Sequence, residues 1–248
     1  MPRGKRNTGL SVRSSGALST KAPSYIKEGS RGIGKLKPGA VSVPFLKLAQ
    51  DKTPQVLSGV VDKGHWFNNV TNEDFGESVE IIVLAAWTGQ MLFGDYNKKE
   101  GILCQAPDGE HALAPGGKDA RGKATDACAE CVLKDWKGKG KSAEPPECMQ
   151  QGKFVVIVKG QRTPMYLVLQ STNFPAARKL NTILVGGGAD TFAQVIKLSH
   201  HKGDKSELVG VSLVGWASEE DYTTAEKLFA TAAKSLMGQQ LDSVSATD

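Results

Sequence analysis

Residues 153–171 read KFVVIVKGQRTPMYLVLQS, two runs rich in Val, Ile, Leu and aromatic side chains around the connector Gly160-Gln161-Arg162-Thr163-Pro164. Apolar, β-branched runs of this length, bounded by Gly and Pro, read as strands joined by a turn. Strands are therefore predicted from Lys153 to Lys159 and from Met165 to Ser171. This pair sets the expectation for the whole chain.

Toward the N-terminus the same signals recur. Ser78 to Trp87 is a continuous apolar run and reads as a buried strand, with Thr88-Gly89 as its turn and Gln90 to Tyr96 as its hairpin partner. Gln55 to Val61 reads as a strand, followed by the turn Asp62-Lys63-Gly64, by His65-Trp66-Phe67 and by a polar turn from Thr71 to Gly76. Val43, Phe45, Leu46 and Leu48 form a short apolar block where order is expected to begin.

Toward the C-terminus, Phe174, Ala177, Leu180 and Leu184 recur at helical spacing over 174–184, with Gly186-Gly187-Gly188 as the stop. Phe192 to Leu198 and Leu208 to Trp216 read as a last strand pair around the polar loop HHKGDKSE. Ser218 is a candidate N-cap with Asp221 three residues on, opening a helix to about Met237. No repeat of 20–50 residues is present. Six or seven short strands and two helices that do not alternate with them predict a mainly β (α+β) fold, a closed or semi-closed antiparallel barrel rather than parallel α/β.

Length and charge refine this. The 248 residues are enough to bury a core, and they carry 31 basic and 26 acidic side chains for a net of +5. Residues 1–40 hold nine of the basic residues (Arg3, Lys5, Arg6, Arg13, Lys21, Lys27, Arg31, Lys35, Lys37) and one acid, Glu28, a local net of +8. The other 208 residues hold 22 basic and 25 acidic side chains, a net of −3. The expected organisation is a flexible basic arm over 1–37, a barrel domain over 38–240 interrupted by an insert over 97–152, and a flexible tail over 241–248. The longest apolar run, Ile81 to Trp87, is far short of the roughly 20 residues of a membrane-spanning helix. The start MPRGKRNTGLSVRSSG has no apolar stretch after its basic residues, so no secretory signal is read. A cytoplasmic, reducing location is expected.

All four cysteines lie in the insert, spaced C-x23-C-x2-C-x16-C as Cys104, Cys128, Cys131 and Cys148. A long polar segment inside a compact domain needs something to organise it, and a tetrahedral Zn²⁺ on four thiolates would do so. The Cys128-Ala-Glu-Cys131 turn lets two sulfurs meet one metal while the outer cysteines close the loop. Disulfides, in any of three pairings, and a redox C-x-x-C are the alternatives, disfavoured by the reducing compartment and by the lack of a βαβ unit. His111 is a substitute ligand. Structural zinc is expected.

Single-stranded nucleic acid is held by lysines that neutralise phosphates and by aromatic faces on which bases stack. Lys63, His65, Trp66 and Phe67 lie together after a strand; Phe93 and Tyr96 lie beside Lys98 and Lys99. Lys159 and Arg162 precede Tyr166, Phe174 lies near Arg178 and Lys179, and Trp136 lies among Lys134, Lys137, Lys139 and Lys141. For each aromatic, a place in the core is the competing reading. No P-loop, H-E-x-x-H or Ser/His/Asp arrangement is found, and His200-His201 beside Asp204 read as a solvated loop. No enzyme is expected.

The block LKPGAVSVPFLKLAQDKTPQV (36–56), the turn GHWFNNVTNEDFG (64–76), the Cys-rich insert with PPEC (145–148) and FVVIVKGQRTPMYLVLQST (154–172) resemble zinc-containing single-stranded DNA-binding proteins of bacteriophages. The resemblance spans roughly 36–236. It implies an OB-type barrel, a structural zinc ion, single-stranded DNA (or RNA) as ligand, and a role beside replication proteins in replication or recombination. The acidic tail common in such proteins is missing, since LDSVSATD carries only Asp242 and Asp248. The competing expectation is a zinc-stabilised structural or transcription-associated adaptor without affinity for single strands.

Overall fold

The structure is a computed structural model that describes residues 42–94, 98, 101–112, 128–135, 138, 144–204 and 206–230. The chain divides into Met1–Gly32 and Ile33–Asp248, and every described residue belongs to the second unit. The predicted arm and tail lie outside the described residues.

In chain order the elements are β1 (Leu46–Leu48), α1 (Pro54–Leu57), β2 (Trp66–Asn68), β3 (Asp74–Gly76), β4 (Ser78–Phe93), β5 (Ile102–Ala106), β6 (Cys148–Val158), β7 (Met165–Gln170), α2 (Phe174–Gly186), β8 (Gln194–Lys202), β9 (Glu207–Trp216) and α3 (Glu219–Leu228). They make a three-stranded sheet, β1-β2-β3, and a six-stranded sheet ordered β7-β6-β4-β8-β9, with β5 added to the far half of β4. All pairings between named strands are antiparallel. Phe45 forms an isolated parallel bridge to Tyr166, with the Tyr166 N–H donating to the Pro44 carbonyl at 2.8 Å.

Alternation along the strands builds two core layers, because successive side chains leave opposite faces of a sheet. On one face Phe154, Val156 and Leu167 pack with Ala177, Leu180 and Leu184 of α2. On the other, Val155, Ile157, Ile82 and Leu84 pack with Phe192 and Ala225. Gly152 is what seats α2: a Cβ there would stand 2.4 Å from the Ala177 methyl. The N-cap of α3 is the expected one, the Asp221 N–H donating to Ser218 Oγ at 3.2 Å.

The mainly β α+β fold, the strand pair over 153–171, the helix after Phe174 and the final strand pair are as expected. The closed OB-like barrel is not: β7 and β9 stand at opposite ends of an open sheet. Residues 55–61 are not a strand, since Pro54 at the first helical turn starts α1 and the Leu57 end runs into a turn. Thr88-Gly89 is not a turn. Thr88 pairs with Gly152 and Gly89 with Gln151, so β4 runs on for 16 residues where a hairpin was expected. The eleven-residue β6 overrides the local turn preference by offering a long ladder along β4. The insert is correspondingly smaller, because β5 and the first half of β6 are part of the sheet. Among the described residues, no helix is long and apolar enough to cross a membrane.

Candidate nucleic-acid interface and cysteine cluster

Beyond the Phe45–Tyr166 bridge, β1 turns to β2 while β7 stays with β6, and a groove of about 510 Å³ opens around that end of the large sheet. Its aromatic walls are Phe45 and Phe93, and Phe93 is 43% exposed. Its cations are Lys47, whose ammonium stands 5.6 Å from the Phe45 ring centre, and Lys153. Gln105, Gln151 and Gln170 add amides, and among the described residues no Asp or Glu lines it. An acid-free groove with lysines and aromatic rings is suited to a ligand carrying both negative charge and flat apolar rings.

Three buried polar atoms of this groove's lining residues have no hydrogen-bond partner: Trp66 Nε1, Gln151 Oε1 and Lys153 Nζ. Lys153 is 2% exposed, and burial lowers its pKa from the ordinary lysine value. The Gln151 Nε2 group is engaged, donating to Gln170 Oε1 and to Met91 Sδ.

The structure sorts the expected contacts sharply. Phe93 lines the groove. Trp66 borders it but is fully buried, so its ring face is not offered for stacking. Phe67 is fully buried against Ala49 and Val61, and Tyr166 is buried between Phe45, at 5.5 Å, and Trp87, at 6.1 Å. These three are core residues, because their sheets close over them. Lys63 bridges Asp51 at 2.7 Å and Glu207 at 3.0 Å, His65 pairs with Asp74 at 2.9 Å, and Lys159 pairs with Glu80 at 3.0 Å. Arg162 and Lys98 are exposed outside the groove lining. Tyr96, Lys99 and Trp136 lie outside the described residues. Arg178 stacks on Phe174 at 5.5 Å, also as a local pair.

Phe45, Lys47, Gln151 and Lys153 were missed by sequence reasoning. Lys47 is the readable one, a lone cation in an otherwise apolar block. Lys153 reads as the edge of an apolar run, and only the long β4–β6 register reveals that it is inside the sheet.

The cysteines converge. Leu92 of β4 pairs with Cys104 of β5 on one side and with Cys148 of β6 on the other. Cys128 and Cys131 come from short 3-10 turns, with the Cys131 N–H donating to the Cys128 carbonyl at 3.2 Å. All four thiols are free and line one cavity of about 20 Å³ together with Gln90, Ala106 and Ala112. Burial first, and then the neighbouring sulfurs, push the Cys148 thiol up to about 12, and Cys104 and Cys128 are raised in the same way. Among the described residues, no group of three or more His, Cys, Asp or Glu is close enough as it stands to hold a metal ion. His111 is turned to Asp108 at 2.9 Å and does not line the cavity.

A family model described as Pam3 phage gp34-like protein matches residues 14–238. No curated protein and no solved structure matches the chain.

Proposed function

We propose that this chain, which belongs to the Pam3 phage gp34-like protein family, is a non-catalytic single-stranded DNA-binding protein serving phage DNA replication or recombination. The observation that carries the reading is the acid-free groove of about 510 Å³ between β1 and the β4–β6–β7 face, with Phe45 and Phe93 beside Lys47 and Lys153. Phosphates would sit against Lys47 and the basic residues of the first 40 positions, and bases would stack on Phe93. What remains of the OB-like expectation is a sheet face with aromatic and basic side chains, without barrel closure.

The same proposal includes a structural zinc ion on Cys104, Cys128, Cys131 and Cys148. Four free thiols around one small cavity are a donor set that a tetrahedral ion draws together, and thiolate binding would reverse their mutual repulsion. The ion would pin the 3-10 turns to the ends of β5 and β6.

A second reading, the adaptor without affinity for single strands, is favoured by one patch. Leu213, Val214 and Trp216 of the edge strand β9 are each at least half exposed, with Trp216 at 66%. Titration with oligo-dT separates the two. The single-strand reading expects binding, read by the anisotropy of a labelled oligo-dT, that weakens steeply as salt rises and weakens in Phe93→Ala, whose ring is partly exposed in the groove. A silent titration at low salt overturns it in favour of the adaptor.

A further inference from the structure

Lys153 projects from β6 beside Trp87 of β4 and Val168 of β7, and its ammonium rests over Gly89, the one β4 position without a side chain to block it. A buried donor without an acceptor is costly, and here two donors, Lys153 Nζ and Trp66 Nε1, and one acceptor, Gln151 Oε1, are left open among residues lining one groove. Among the described residues no carboxylate lines the groove, and none of its amides accepts from either donor. A ligand that reaches these groups supplies what the lining does not.

We infer that this groove reads the base itself, accepting a keto base (thymine or guanine) of single-stranded DNA whose carbonyl oxygen takes the Lys153 proton donor. The inference rests on the single-strand reading above and deepens it. Keto bases place a carbonyl acceptor next to an imino N–H, which supplies what Lys153 and Gln151 each lack. Cytosine and adenine place an amino group where that carbonyl stands, setting donor against donor. A site with buried, unpaired groups discriminates strongly, because the wrong ligand leaves them unpaired again. Lowering of the Lys153 pKa by burial also suits a neutral carbonyl, since the amine donates in either protonation state. Phosphates then belong to the more exposed Lys47.

The test compares oligo-dT with oligo-dC of equal length, both flexible pyrimidine strands, by fluorescence anisotropy at one salt concentration. About tenfold tighter binding of oligo-dT is expected, and the ratio of the two affinities, both measured on the same variant, should fall to within about twofold in Lys153→Met. That variant removes a buried charge that has no partner, so its thermal midpoint should not fall. A wild-type titration with oligo-N3-methylthymidine, which blocks the imino N–H, gives an arm independent of any variant and should bind no better than oligo-dC. Equal binding of both oligonucleotides, or a thymine preference that persists in Lys153→Met, overturns the base reading and leaves the single-strand reading standing. Failure of both to bind at low salt removes the two together.

Discussion

The ammonium of Lys153 stands 2.9 Å from the point that a methyl group on Gly89 would occupy, across the β4–β6 ladder. Gly89→Ala therefore evicts the tip of that side chain, while Pro107 O at 3.0 Å limits how far the new methyl can shift. Replacing a strand glycine by alanine gains about 0.5–1 kcal/mol of backbone entropy. We expect the two effects to leave the thermal midpoint within about 3 °C, while oligo-dT affinity falls several-fold. An unchanged affinity would disconnect Lys153 from binding.

Phe93 and Phe67 should separate binding from folding. Phe93→Ala, at a partly exposed groove position, is expected to cost about 1–3 kcal/mol of oligonucleotide affinity and little stability. Phe67→Ala, fully buried, is expected to cost about 3–5 kcal/mol of stability. Chemical denaturation and anisotropy on both variants check the contrast, and a reversed pattern would refute the placement of the groove.

Zinc analysis of purified protein should find one ion per chain, released by a strong chelator with a drop of about 10 °C in the unfolding midpoint. Cys128→Ser and Cys148→Ser should each abolish stoichiometric zinc. Full zinc content in both would mean another ligand set.

Glu207 gives a pH dependence of known sign. The Lys63 ammonium, donating to its carboxylate, and His200 after it hold its pKa below the ordinary value, against burial, which acts upward. A depressed carboxylate stabilises the fold above its unfolded value of about 4.3, and that contribution is lost as pH falls through the folded value. Glu207→Gln should lower the midpoint near pH 7 and converge with wild type in acid, once the carboxylate is protonated in both the folded and the unfolded chain. Parallel curves at all pH values would exclude this ion cluster as a source of acid lability.

The strand content and the helix positions were legible because each rests on local pattern: unbroken Val/Ile runs, a proline-opened helix after Asn173, Ser218 capping Asp221. Barrel closure was not legible, since it depends on which strands end a sheet, and nothing in β7 or β9 marks them as unjoined. Thr88-Gly89 misled because turn propensity is local while an eleven-residue partner, β6, is not. The cysteine cluster was legible as spacing. The groove was not: Trp66 and Tyr166 carry the composition of stacking residues, yet their neighbours bury them, and Lys153, the cation of the proposed site, sits at the edge of an apolar run.

A single strand, β4, pairs in the middle of the sheet through Ile81 and Ile82, borders the groove through Met91 and Phe93, and stands between Cys104 and Cys148 through Leu92. At about 3.3 Å per residue it is a beam roughly 50 Å long. Whatever loosens the sulfur end shifts Met91 and Phe93 on either side of Leu92, so removal of the proposed zinc ion is expected to weaken the proposed grip on DNA without any cysteine touching it. On these two proposals, grip and metal content should fall together, as two readings of tension in the same rod.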